Sequence, residues 1–346
     1  MVESILGNLQ ERKREAEGVV RRYPGVVWRG EKLATSVRPH AGLVAGMAPE
    51  LRVAVIHPKI GYKFLTTIGG RTAELRFWIY SNNPLPLAEL RRNARLAYVW
   101  LEMLLRCVTG HVGSRGMICD FMMLSDKRFF PVGVDELIAP VHCNGGLSYV
   151  GNDFARFCVY REEEWFKVFV HETFHAFGVH GQFPDWGVVK ELTGLSFREK
   201  LELSEVYAET WARIMLVLFA RGGVGVDGLV RLLDREAEHG WQQCQRALPY
   251  VAMGVEAGEG QLTPVLEYYC ITGAVMVRWF KFLDWCARHN QNCADGVGFE
   301  LKDPVKWLEW LGEVVNSELV YQNMKEATIP VRSARMSHHE PMVPRN

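Results

Sequence analysis

Residues 156–178 read RFCVYREEEWFKVFVHETFHAFG, and two different periodicities meet inside them. Arg156 to Arg161 is rich in aromatic and β-branched residues and is expected to form a short strand. From Glu162 to Phe177 the pattern turns helical. Trp165, Phe166, Val168, Phe169, Val170, Phe174, Ala176 and Phe177 are apolar on nearly every side of that helix, the profile of a buried one. Glu162, Glu163 and Glu164 at its start suit the helix dipole, and Gly178 marks its end. A strand leading into a buried helix is the point from which the rest of the fold is read.

Inside the helix stand His171, Glu172, Thr173, Phe174 and His175. Residues four apart lie one turn above each other on the same face. Two imidazoles so placed can aim their nitrogens at a single ion about 2.0–2.1 Å away. Glu172 is turned from His171 by roughly 100°, beside the ion and not on it. There it can take a proton from a metal-activated water and later deliver it to a leaving amine. Polar groups in a buried helix need partners, and a metal supplies one for both rings. The competing reading is a buried helix whose histidines are held by ordinary hydrogen bonds.

Such a site needs a third ligand, with a fourth position left for water. Residues 201–212 read LELSEVYAETWA. Glu202, Glu205 and Glu209 share one helical face there, with apolar neighbours, and acids so placed repel one another unless a cation is near. The residues alone leave open whether Glu205 or Glu209 is the ligand. His180 is a further candidate. In zinc peptidases of the metzincin type, which read HExxHxxGxxH, Gly178 would fit but the third histidine would fall at Gly181. His180 is one residue early, and a role bonding to a ligand side chain or facing the substrate, or plain surface exposure, suits it better.

Over Arg156 to Arg213 the sequence resembles the gluzincins, zinc peptidases whose HExxH helix is completed by a glutamate from a later helix. The resemblance implies Glu205 as the ligand and Glu209, four residues on, as the side chain that hydrogen-bonds a ligand histidine. Here Glu stands where Asp is commoner. The Asn144-Gly145-Gly146 segment and residues 204–212 also resemble HExxH proteins of large DNA viruses, which adds no mechanism. In zincins an extended edge near this point pairs with the substrate backbone, which makes Asn144, Gly145 and Gly146 candidate substrate-binding residues; glycines there would let a peptide approach closely. An ordinary tight loop is the alternative. For the oxyanion donor the candidates are Tyr268, Tyr269 and His239, with Tyr269 preferred.

Working outward, Leu51–Ile56, Tyr62–Ile68 and Glu74–Tyr80 read as strands, with a turn at Gly69-Gly70. Leu87–Cys107 reads as a helix. Residues 116–132 read as two strands around Ser125-Asp126-Lys127, and 140–150 as an irregular extended segment. Beyond residue 162 the expected elements are helices, over 162–177, 197–220, 226–239, 264–289 and 304–324. The expected fold class is α+β and zincin-like: a mixed N-terminal sheet, then a mainly helical half carrying a buried metal-binding helix. Residues 1–30 read as a polar helical arm, 31–327 as one domain, and 328–346 as a disordered tail in which His338 and His339 are solvated.

Lys plus Arg and Asp plus Glu stand at 40 each, so the basic surplus of a generic nucleic-acid binder is lacking. No signal-peptide core or membrane-spanning run is found, which places the expected protein in the cytosol or nucleus, off the membrane. The 8 cysteines are irregularly spaced and form no CxxC pair, so reduced buried thiols are expected. The function expected from the residues and the resemblance together is a zinc metallopeptidase holding one Zn²⁺ per chain and acting on a peptide or protein. The alternative is a structural or interaction protein, such as a virion component, that keeps the metal site with little turnover. An intact Glu172 counts against it, because a structural site needs no base.

Overall fold

The computed structural model describes residues 1–23, 29–34, 36–80, 86–108, 116–133, 136–150, 154–194, 200–220, 224–257, 263–290, 297–316 and 335–339. It is an α+β protein with a mixed six-stranded sheet. The chain divides into two compact units. A sheet unit takes Gly7–Lys127 and Gly145–Val179; a helical unit takes Met1–Leu6, Arg128–Asn144 and His180–Glu340. Each is described by itself.

The strands of the sheet unit are β1 (Glu31–Lys32), β2 (Ile60–Ile68), β3 (Arg71–Ile79), β4 (Gly116–Leu124), β5 (Gly146–Val150) and β6 (Phe154–Arg161). Their order is β1-β2-β3-β4-β6-β5. β2 and β3 form an antiparallel hairpin closed by Gly69 and Gly70. Both glycines have positive φ, +56° and +78°, which a side chain would resist. β3, β4 and β6 run parallel, and β5 returns antiparallel to β6 as an edge. The helix Leu87–Leu105 joins β3 to β4.

The sheet's two faces differ. Leu75, Phe77, Cys119, Phe121, Phe157 and Val159 are buried on one face, where Phe77 and Phe121 stack with ring centroids 4.6 Å apart. Trp78 and Asp120 lie buried on the other, their side chains joined by a hydrogen bond from Trp78 Nε1 to Asp120 Oδ1 of 2.7 Å.

Three local expectations are corrected. Leu51–Ile56 is not a strand: Pro49–Val55 is a helix with Pro49 in its first turn, where a proline's fixed φ and missing N–H are tolerated. The second strand expected before Val132 is reduced to a bridge at Phe129, whose N–H donates to the His142 carbonyl at 3.1 Å. Residues 140–150 are a short helix, Pro140–Cys143, followed by β5.

The helical unit contains Trp186–Thr193, Leu203–Ala220, Val226–Ala257, a π-helix over Leu266–Ile271, Thr272–Val277, Trp279–His289 and Pro304–Val315. Its core is aromatic: Tyr207 meets Trp307 edge-on at 5.3 Å and Trp211 meets Phe282 at 5.3 Å. Of the expected tail, residues 335–339 are described; His338 N donates to Glu236 Oε2 at 3.0 Å, and His338 is exposed. The last part of the expected helix 304–324 lies outside the described residues. Among the described residues no helix is long and apolar enough to cross a membrane, and the seven described cysteines are buried thiols not joined in disulfides.

Candidate metal centre

In the sheet unit the helix Trp165–Ala176 is pinned to the sheet by its aromatic residues. Phe169 packs against Phe121 and Phe157 at 5.4 and 5.8 Å, and Trp165 meets Phe121 edge-on at 5.6 Å. From the neighbouring helix, Trp100 stacks on Phe174 at 6.1 Å. Its indole Nε1 donates to Thr173 Oγ1 at 2.9 Å, and that hydroxyl donates to the Val170 carbonyl at 2.5 Å. These contacts fix the helix's rotation about its axis, and with it the direction of the residues between them. Glu164, which precedes the helix, is buried in a left-handed conformation with φ of 57°.

The fixed rotation brings His171 and His175 together. Their Nε2 atoms are 3.0 Å apart and their ring centroids 4.8 Å apart. Two nitrogens about 2.05 Å from one tetrahedral ion stand roughly 3.3 Å apart, so the rings converge on a point where an ion would fit. The same spacing also suits a hydrogen bond in which one ring, as its Nε2–H tautomer, donates to the other. His171 and Glu172 are each 7% exposed, and His175 is half-buried.

Glu172 lies against the edge strand. A methyl group at Gly146 would come within 2.8 Å of Glu172 Cγ, 2.7 Å of Val168 Cγ1 and 2.8 Å of the Cys158 carbonyl oxygen. Only glycine lets β5 run this close to the helix. Gly146 pairs with Val159, and Gly145 accepts a hydrogen bond from Tyr160 N at 2.9 Å. Of the two glycines expected near a substrate, Gly146 is thus on the edge strand beside the candidate base, and Gly145 immediately precedes that strand. Asn144, in the helical unit, is engaged there by a distant residue, its Oδ1 accepting from Thr263 Oγ1 at 2.8 Å.

In the helical unit, Glu202, Glu205 and Glu209 lie at the start of Leu203–Ala220. Glu205 is half-buried, whereas Glu209 is 1% exposed. Arg213, fully buried, donates through Nε to Glu209 Oε1 at 3.1 Å and through Nη2 to the Tyr268 carbonyl at 3.1 Å. Gly240 makes room for it, since a methyl group there would lie 2.5 Å from Arg213 Nη1. The charge of Glu209 is therefore met by its own helix, a partner visible in the sequence at four residues' spacing but not foreseen.

Glu267 was not foreseen either. It is 4% exposed and accepts a hydrogen bond from Glu202 N at 2.7 Å. Burial pushes its carboxyl up to about 7; the Glu202 N–H opposes the rise, and the Glu205 and Glu202 carboxylates add to it. Tyr269, the expected oxyanion donor, is fully buried in the helical unit, its ring 5.5 Å from that of Phe130. His180 Nδ1 faces the Gly181 carbonyl at 2.8 Å, and His239 Nε2 faces that of Arg335 at 3.2 Å.

Comparison with family models, with curated proteins and with solved structures finds no match to this chain.

Proposed function

We propose that the chain is a zinc-dependent peptidase of gluzincin-like type, with His171, His175 and Glu205 as ligands to one zinc ion and Glu172 as general base. The observation that carries the reading is the convergence of two imidazole nitrogens on a buried helix whose intervening glutamate lies against a glycine of the edge strand. Two imidazoles and one carboxylate are a donor set suited to zinc. When bound, the ion would polarise the substrate carbonyl and lower the pKa of water. Glu172 takes the proton of the attacking water and returns it to the leaving amine. β5 has a strand neighbour on one side among the described residues, so an extended peptide can add to its outer edge. That geometry would lead the scissile bond past Glu172.

The test is Glu172→Gln, which keeps the side chain's shape and removes its basicity. Zinc content should stay near one per chain, and hydrolysis of a diverse peptide library, read by mass spectrometry, should fall roughly 10²–10⁴-fold. Equal cleavage by both proteins would remove Glu172 from the mechanism. Zinc-loaded wild type that cleaves nothing would favour the interaction protein.

A further inference from the structure

The helix Leu203–Ala220 starts in a way that bears on Glu205. Glu205 N donates to the Glu202 carbonyl at 2.9 Å, so Glu202 occupies the capping position and Glu205 the third residue of the helix. A glutamate at that third position can reach back to the backbone N–H of the capping residue, as it does in a capping box. In this protein the Glu202 N–H is donated to Glu267 Oε1 instead, at 2.7 Å, from 65 residues along the chain.

Glu267 is itself held in place. It stands in the π-helix Leu266–Ile271, and its own carbonyl accepts from Thr272 Oγ1 at 2.7 Å. A π turn carries one more residue than an α turn and redirects side chains; such turns are rare and frequently functional. Nor does stability explain an acid here. Glu205 could cap its own helix, while Glu267 must be buried close to two other carboxylates, an arrangement that opposes ionisation.

We infer that Glu267 is a positioning residue for Glu205: by occupying the Glu202 N–H it keeps the Glu205 carboxylate out of a capping box and directed toward the metal. The inference rests on the proposed reading of Glu205 as a ligand. Without Glu267, Glu205 would fold back onto the vacated N–H, the helix would stay capped, and the metal would lose a ligand.

The experiment compares full-length wild type, Glu267→Ala and Glu267→Gln, and adds Glu202→Pro to Glu267→Ala. Zinc affinity is measured by competition with a chromophoric chelator, ligand geometry by the visible spectrum of the cobalt(II)-loaded protein, and folding by the Tm of the metal-free form. Glu267→Ala should bind zinc 10–100-fold more weakly and change the cobalt spectrum, with little change in metal-free Tm. Glu267→Gln keeps an acceptor oxygen for Glu202 N and should behave as wild type. Glu202→Pro deletes the N–H that would capture Glu205, so in the Glu267→Ala background it should restore affinity. Should Glu267→Ala not fold, Glu267→Met keeps the volume and carries the same expectation. Wild-type affinity in the alanine or methionine variant would overturn the inference while the metal centre stands. Weakened binding that Glu202→Pro does not restore would overturn the capping route. A wild-type protein that binds no zinc would remove the metal centre, and this inference with it.

Discussion

Two helices of this chain each hold a pair of polar side chains four residues apart at buried or half-buried positions, and the pairs differ in what they need. In Leu203–Ala220 the pair is Glu209 and Arg213, opposite charges 3.1 Å apart with side chains 2% and 0% exposed. In Trp165–Ala176 it is His171 and His175, whose Nε2 atoms face each other at 3.0 Å. The first pair cancels its own charge inside one helix. The second pairs two like rings, whose facing nitrogens suit a shared ion or a hydrogen bond from one ring to the other. Equal spacing thus yields a closed unit in one helix and a ligand-like unit in the other, and the difference lies in the chemistry of the side chains.

The sharpest way to break this comparison is to open the closed pair. Arg213→Met should destabilise the protein by about 3–5 kcal/mol, because the buried Glu209 carboxylate loses the guanidinium beside it. Glu209→Leu combined with Arg213→Met should recover most of that loss, since an apolar pair of similar volume is tolerated where a lone charge is not. Urea unfolding of the three proteins measures both. A loss under about 1 kcal/mol for Arg213→Met would mean the pair is solvated after all, and the contrast with the histidines would fail.

The histidine pair is tested by supplying the proposed ion. A ligand at one hundred times its Kd stabilises the folded state by about 2.7 kcal/mol, so zinc should raise the Tm of the wild type and a chelator should reverse the rise. In a protein with both His171→Ala and His175→Ala, neither zinc nor chelator should move the Tm. A zinc response that survives the double substitution would place the ion elsewhere.

How much of this was legible beforehand follows the same division between local and distant partners. The helix Trp165–Ala176, its two histidines and its termination at Gly178 were readable because apolar periodicity, i,i+4 spacing and a terminal glycine are local signals. The β2–β3 hairpin was readable from Gly69-Gly70. Leu51–Ile56 was misread because a short apolar run looks alike in a strand and a helix; Pro49, at the first turn of the helix that forms, was the signal to weigh. The helix Trp186–Thr193 went unread, being short and carrying Gly187. Glu267 was out of reach, since its π turn has no sequence signature and its partner, Glu202 N, lies 65 residues away. Tyr269 was chosen for its chemistry, and its burial against Phe130 is a tertiary fact.

A third way to bury a polar group completes the comparison and gives the smallest expected effect. Asp120 is fully buried. Trp78 Nε1 donates to its Oδ1 at 2.7 Å, while its Oδ2 has no hydrogen-bond partner among the described residues. Burial raises its carboxyl from the ordinary 3.8 to about 6; the Trp78 hydrogen bond and the Arg76 and Arg156 guanidiniums oppose the rise, and Glu74 adds to it. Asp120 is therefore a carboxyl whose ionisation folding opposes, where Glu209 pairs its charge with Arg213. Because the folded-state pKa lies above the unfolded one, the group's contribution is fully present below about pH 4 and is lost as pH rises through about 6. A displacement from 3.8 to about 6 amounts to a penalty on the order of 3 kcal/mol on the ionised form. Asp120→Asn keeps an oxygen for Trp78 and carries no charge, but its amide has a burial cost of its own. The variant should thus gain roughly 1–2 kcal/mol over wild type at pH 8, and the gain should turn into a loss of about 1 kcal/mol by about pH 4, where the penalty on the ionised form is gone and the amide's burial cost remains. Urea unfolding of both proteins across that range decides it. A gain of the same size at both ends would show that folding does not oppose the ionisation of Asp120.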